Sequence, residues 1–177
     1  MAESAEFEPL ALKYLDSLHN YARILARDAT DAQDLLQDAL LRAFRGFPSF
    51  NRDLNAKVWL LKVMKNTHID RCRQKLARPI EDALDGDEVA VDGTAPLNPE
   101  EILLRRLAIE EVRGAIRGLP PVWREVVELR DIEGLSYQEI AQVVDRPIGT
   151  VMSRLYRGRN LLRALLQNHH VPAGEVR

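Results

Sequence analysis

Apolar residues recur every three or four positions through most of the chain. Leu10, Tyr14, Leu18, Tyr21 and Leu25 keep this spacing and predict an amphipathic helix. Leu35, Leu36, Ala39, Leu40, Ala43 and Phe44 predict a second. Thr30 is a good N-cap for it, Gln33 completes a capping box, and Gly46 and Pro48 end it. Gly46 to Asn55 reads as a polar loop carrying Phe47 and Phe50. A third helix is expected over about 56–75, with Trp59, Leu60, Val63, Met64 and Thr67 inward and a basic outer side. The pattern then fails. Pro79 to Pro99 holds Gly86, Gly93, Pro96 and six acids, with few recurring apolar residues, and reads as a linker. A helix resumes at Pro99 or Glu100, with Ile102, Leu103, Leu107, Ile109 and Val112 expected inside, and Gly118 and Pro120 close it. Another spans about 121–131 before Gly134 turns the chain. No stretch alternates β-branched and polar residues. The expected fold class is all-α, with two small helical domains at 5–78 and 99–170 joined by an acidic flexible linker over 79–98.

The strongest local signal runs from Leu135 to Arg163. Ser136 is an N-cap with Glu139 at N3, a capping box for a helix over Tyr137–Val144. Asp145, Arg146 and Pro147 form a turn in which Asp tolerates the left-handed conformation. Ile148, Val151 and Leu155 are expected to bury one face of a second helix, and Ala141 supplies the small residue for a steep crossing. This is a helix-turn-helix. Thr150, Ser153 and Arg157 lie three and four apart and share a face. Short hydroxyls can approach base edges there, and Arg can read guanine bidentately. Arg154, Arg159 and Arg163 suit phosphates, which position without specifying.

Charge sharpens this picture. The net charge of -2 over 177 residues looks wrong for a nucleic-acid binder, but the signs are segregated. Lys57 to Arg78 carries seven Lys or Arg against the single acid Asp70, and Arg146 to Arg163 carries five Arg and no acid. Each can bind phosphate locally. Cys72 is the only cysteine, so no intramolecular disulfide forms, which suits a reducing cytoplasm. Its expected role is that of a small buried hydrophobe with no base beside it. No apolar run approaches the roughly 20 residues of a membrane span. His19, His68, His169 and His170 show no metal spacing, and no phosphate loop or nucleophile motif occurs. An enzyme is therefore not expected, nor a metal, cofactor or catalytic residue.

Together these residues resemble a family. Leu135 to Val144 with Ile148 to Arg159 resembles region 4 of the extracytoplasmic-function sigma factors, RNA polymerase subunits built of regions 2 and 4. Asp31 to Phe44 resembles the region 2 helix that binds the polymerase clamp, and Trp59 to Arg71 resembles the region's DNA-recognition helix. The resemblance implies promoter recognition at stress-response genes. Its implied partners are core RNA polymerase (the β′ clamp and β flap), promoter DNA and an anti-sigma factor, without membrane insertion. Asp34, Leu35, Gln37 and Asp38 match core-binding positions. Phe50, Asn51 and Asn55 match the loop that captures a flipped minus-ten base, a task needing apolar and hydrogen-bonding walls. Asn66 matches a base-reading position, and Lys57, Lys62, Lys65, Arg71 and Arg73 would follow the melted strand. Thr150, Met152, Ser153, Arg154, Tyr156, Arg157 and Arg159 match the minus-thirty-five face, with Met152 suited to a thymine methyl. Asp70 fits a structural ion pair, and Phe47 and Trp59 fit the core. The free domains are expected to fold against each other or an anti-sigma protein. The alternative is a helix-turn-helix regulator that acts without being the polymerase specificity subunit; it would need a receiver domain or a symmetric dimer on a palindrome.

Overall fold

The computed structural model describes residues 2–76, 109 and 111–169, and among them every regular element is helical. The single first helix expected from Leu10 to Leu25 is two, α1 (Ala2–Lys13) and α2 (Leu15–Leu25). Tyr14 separates them at φ −112° and ψ 12°, in the sparsely used bridge region. The Leu18 N–H still donates to the Tyr14 carbonyl at 2.9 Å, so the apolar register survives the break. Leu18 and Tyr21 are buried, and Leu10, Tyr14 and Leu25 pack against the core.

The second helix, α3 (Ala29–Gly46), starts before the expected Thr30 cap. Asp28 is the N-cap, and its carboxylate accepts the Asp31 N–H at 2.7 Å. Asp caps at least as well as Thr, and its charge suits the positive helix end, so Thr30 falls inside the first turn. Ala32, Leu35, Ala39 and Ala43 form the buried stripe. A 3₁₀ turn (Phe47–Ser49) follows, beside an aromatic cluster. Phe7 meets Phe44 and Phe47 edge-on at 5.5 and 5.3 Å, Phe47 stacks on Phe50 at 6.1 Å, and Phe50 lies 4.5 Å from Trp59.

Helix α4 (Ala56–Leu76) is buried more widely than one apolar side predicts. Val58, Leu60, Leu61, Met64 and Thr67 are all inside, whereas Trp59 and Val63 are half-buried. Positions 58 and 60 point to opposite sides of a helix, so two surfaces must cover it. Helices α2 and α3 cover one, and the C-terminal helices supply the other. The Thr67 hydroxyl satisfies itself by donating to the Val63 carbonyl at 2.8 Å.

The expected linker over 79–98 and the inward positions Ile102, Leu103 and Leu107 lie outside the described residues. Residues 111–117 are helical (α5). Ala115, Ile116 and Leu119 are buried, but Ile109 and Val112, expected inside, are exposed, because the covered face begins one turn later. Helix α6 (Pro121–Val127) opens with Pro121 in its first turn and widens into a π-helical turn, Glu128–Ile132, before Gly134 reverses the chain at φ +74°. Helix α7 (Tyr137–Val144) and α8 (Ile148–His169) follow. Helix α8 crosses α6 closely at Gly158, where an added Cβ would lie 2.8 Å from Val127 Cγ2 and 3.3 Å from Trp123 Cβ. The buried cluster is continuous from Phe7 to Leu155, with α4 lying on α7 and α2 on α6.

Candidate nucleic-acid interface

The helix-turn-helix forms as its residues dictate. The Ser136 hydroxyl accepts the Glu139 N–H at 3.2 Å, and the Glu139 carboxylate accepts the Ser136 N–H at 2.8 Å. The bond from Ser136 N–H is the largest influence holding the Glu139 carboxyl below its ordinary value. Asp145 caps α7 in the left-handed conformation, φ 51° and ψ 56°. Val151 and Leu155 are buried, as expected.

Ile148 does not join them. It is 44% exposed and begins a stripe with Met152, 51% exposed, and Tyr156, 71% exposed. These residues are four apart and share one side of α8. The first turn of α8 leaves the short Asp145–Pro147 connection, and the inward position there passes to Val151. Ser153 and Arg157 are exposed, Thr150 and Arg154 half-buried. The Ser153 hydroxyl donates back to the Thr150 carbonyl at 3.0 Å. Arg159 is held by Asp131, with Nε 3.0 Å from Oδ2 and Nη2 on Oδ1. That bond is the main reason its pKa is raised. Arg159 thus meets a phosphate only by sharing or leaving Asp131.

The candidates around α4 divide. Asn51, Lys62, Asn66 and Arg73 are exposed. Asn51 also orders its own loop, accepting the Asp53 N–H at 3.0 Å. Phe50 is buried under Trp59, so its ring is a wall and not a surface group. Arg71 bonds Asp31 at 3.2 Å and approaches Asp38 at 3.8 Å. Burial alone would raise the Asp31 carboxyl, but the hydrogen bond and charge of Lys75, with the charge of Arg71, hold it below its ordinary value. Asp70 pairs with Arg42 at 2.6 Å, the ion pair expected of it.

Three polar residues of this face are occupied by the C-terminal helices. Lys65 Nζ lies 2.7 Å from Glu125 Oε1, which also accepts the Tyr21 hydroxyl at 2.6 Å. Lys57 Nζ pairs with the Glu133 carboxylate at 2.7 Å and donates to its carbonyl at 2.9 Å. Asn55 Nδ2 donates to Glu139 Oε1 at 2.7 Å. Tyr21 is fully buried; burial first, and then the Glu125 charge, pushes its pKa well up.

On α3, Asp34, Gln37 and Asp38 are exposed along one face, whereas Leu35 is core. A partner therefore meets Leu35 only through its neighbours. The exposed apolar residue of that face is Leu41, 50% exposed, three and four positions beyond Asp38 and Gln37. Cys72, expected buried, is exposed, and its Sγ lies 3.5 Å from His68 Nε2. Burial first, and then the Lys65 charge, lowers the His68 pKa. Sequence reading missed this neighbour although the two residues are one turn apart. It also missed Ile148 and Leu41, both legible as continuations of surface stripes. Glu125, Glu133 and Tyr21 carry no local signal of their contacts.

Among the described residues, no three His, Cys, Asp or Glu gather as metal ligands, and no helix is long and apolar enough to cross a membrane.

Comparison with known proteins adds to this geometry. Residues 10–78 match the family model "Sigma-70 region 2", and residues 109–162 match "Sigma-70, region 4". The RNA polymerase sigma-H factor of Pseudomonas aeruginosa is 34% identical over 169 residues, 91% of this chain and 86% of that protein. The ECF RNA polymerase sigma factor SigE of Mycolicibacterium smegmatis is 33% identical over 168 residues; the match takes in 95% of this chain but 64% of that protein. Among solved structures, the sigma factor RpoE of Bartonella quintana, in complex with the anti-sigma factor NepR, has a TM-score of 0.69 at 27% identity, covering 92% of this chain and 97% of that one.

Proposed function

Because the chain belongs to the extracytoplasmic-function sigma factors, we propose that it is a promoter-recognition subunit that directs core RNA polymerase to a small set of stress-response genes. The observation that carries this reading is the face of α8. A capping box and a left-handed Asp145 fix the start of that helix, and Ser153 and Arg157 stand clear of the core. Arg157 and Ser153 read base edges of the minus-thirty-five element, and Met152 takes an apolar contact. Arg154 contributes a phosphate contact.

The N-terminal unit, taken as 5–78, melts and reads the minus-ten element. Asn66 addresses an unstacked base, Lys62, Lys65 and Arg73 follow the strand, and Asn51 and Asn55 offer amides beside the Phe50–Trp59 wall. Asp34, Gln37 and Asp38 dock on the β′ clamp by charge-assisted bonds to its cations. The segment 79–98 joins this unit to the C-terminal one, 99–170, which also meets the β flap. The polymerase performs all bond making; this chain positions DNA and needs no cofactor. It works in the cytoplasm, where the polymerase is, and an anti-sigma factor holds it inactive, as NepR is bound in the similar complex.

The test is transcription. Purified protein is added to sigma-free core polymerase on genomic DNA, and the run-off transcripts are sequenced. A few start sites sharing one upstream motif are expected. Silence from folded, inhibitor-free protein, with palindrome binding in the absence of core, would replace this reading with that of a conventional helix-turn-helix regulator.

A further inference from the structure

Asp131 and Arg159 meet in a geometry that an ordinary surface ion pair lacks. One carboxylate takes two donors from one guanidinium: Nε lies 3.0 Å from Oδ2, and Nη2 bonds Oδ1. A guanidinium is a rigid plane with five N–H groups, and two parallel bonds fix both its position and its tilt. Asp131 uses the Nε edge. The outer edge, Nη1 with Nη2, is the end of the fork that matches two phosphate oxygens. The side chains are 41% and 35% exposed, so a phosphate can reach that edge without displacing the acid. We propose that Asp131 is a positioning residue for DNA binding: it aims the outer edge of Arg159 at a backbone phosphate of the duplex read by α8, and the two residues work as one clamp.

Both side chains leave well-anchored backbone. Asp131 sits in the π-helical turn, two residues after the fully buried Leu129. The Leu135 N–H closes on the Leu129 carbonyl at 3.0 Å. Arg130 Nη1 donates to the Leu135 carbonyl at 2.7 Å, and its guanidinium lies 5.0 Å over the Tyr137 ring. Arg159 follows Gly158, the residue of the close α6–α8 crossing. The bond to Asp131 comes first in raising the Arg159 pKa, and Tyr137, the first residue of α7, adds to it. The guanidinium is thus braced from the π-helical turn and from α7 while it is carried by α8. No acid occurs between Arg146 and Arg163, and Arg163 stands one turn beyond Arg159, so the surroundings on α8 attract phosphate.

An acid beside a phosphate-binding arginine is the reverse of what charge alone would select. Its repulsion toward the phosphate is screened at physiological salt. A loose arginine, by contrast, loses rotamer freedom when it binds. Asp131 has already removed that freedom in the free protein. Phosphate contacts set register and orientation on the duplex, so a fixed arginine also helps to fix how α8 enters the groove.

The inference rests on the part of the proposed function that puts α8 on duplex DNA, and binding by the full chain is read apart from transcription. Affinity for a short duplex of mixed sequence is measured between about 50 and 200 mM salt, with circular dichroism melts to check that each variant folds. Arg159→Ala should weaken binding and lower the salt slope by about 1. Asp131→Ala should lower the slope likewise and weaken binding ~3–10-fold, although it removes a negative charge. Asp131→Asn, which keeps one acceptor oxygen in nearly the same shape, should fall between Asp131→Ala and wild type. In the Arg159→Ala background, Asp131→Ala should bring no further loss. Tighter binding and a steeper slope from Asp131→Ala or Asp131→Asn alone would make Asp131 a competitor of phosphate and overturn the proposal. A loss that persists in the Arg159→Ala background would make Asp131 a purely structural residue and overturn it equally. A wild-type chain that binds no duplex even at the lowest salt would also remove the clamp, while run-off transcription decides the function separately.

Discussion

Gly158→Ala sets two known effects against each other. Helix propensity favours Ala over Gly by about 1 kcal/mol in a helix interior. Against this stands the α6–α8 crossing, where the new methyl would lie 2.8 Å from Val127 Cγ2 and 3.3 Å from Trp123 Cβ. Neither neighbour yields cheaply: a valine in a helix has essentially one χ1 rotamer, and a Cβ moves only with its backbone. Overpacking of this kind costs roughly 1–3 kcal/mol. The net expectation is a loss of up to about 2 kcal/mol, read as a lower urea midpoint at unchanged slope. A double-mutant cycle isolates the cause. Val127→Ala removes the colliding methyl group, so Gly158→Ala in that background should be neutral or gain up to about 1 kcal/mol. The coupling should then equal the relieved overpacking, about 1–3 kcal/mol, well beyond the ~0.3–0.5 kcal/mol scatter of independent sites. If Gly158→Ala alone stabilises the protein, propensity has won and the close crossing is refuted.

Three further outcomes follow from local chemistry. Burial, and then the Glu133 charge, raises the Glu128 carboxyl from 4.5 to about 7, with Arg113 opposing. Between those pH values only the unfolded chain releases this proton, so stability falls as pH rises from 4.5 to about 7 and the full cost remains above. Glu128→Gln should therefore stabilise by roughly 1–3 kcal/mol at pH 8 and by much less at pH 5; an equal gain at both would exclude this origin. Asp145 is left-handed, so Asp145→Gly should be neutral or stabilising while Asp145→Val should cost about 1–2 kcal/mol; thermal melts that rank Val level with Gly would contradict it. In holoenzyme assays on promoter variants, Arg157→Ala should lose about 1–3 kcal/mol of discrimination at one base pair, whereas Arg154→Ala should weaken all promoters alike and lower the salt slope by about 1. Uniform weakening by Arg157→Ala would make it a phosphate contact.

The parts of the fold legible in the sequence are those set by neighbours along the chain. The boundaries of α7 were readable because Ser136 and Glu139 bond each other and Asp145 accepts a left-handed backbone. The start of α3 was not, since Asp28 and Thr30 are both competent caps and only the structure shows which carboxylate or hydroxyl reaches an N–H. The break at Tyr14 hides because one bridge-region residue leaves the three-to-four spacing intact. Long-range packing was illegible for a different reason. The second covered side of α4 presents Lys57 and Lys65, which read as a solvated basic face until their glutamate partners are found far along the chain. Of the candidate site, the exposed face of α8 was readable from spacing, but the burial of Phe50 and Leu35 and the capture of Arg159 by Asp131 were not.

The two tryptophans fall one to each half. Trp59 sits in the aromatic cluster with Phe50, and Trp123 lies at the α6–α8 crossing. Nature has thus supplied two intrinsic fluorophores in unlike surroundings, one per helical unit. Trp59→Phe and Trp123→Phe would each leave a single emitter, so that melting of one half can be timed against the other by stopped flow, without dyes. The order in which the two emissions change reports whether the halves unfold together or one after the other.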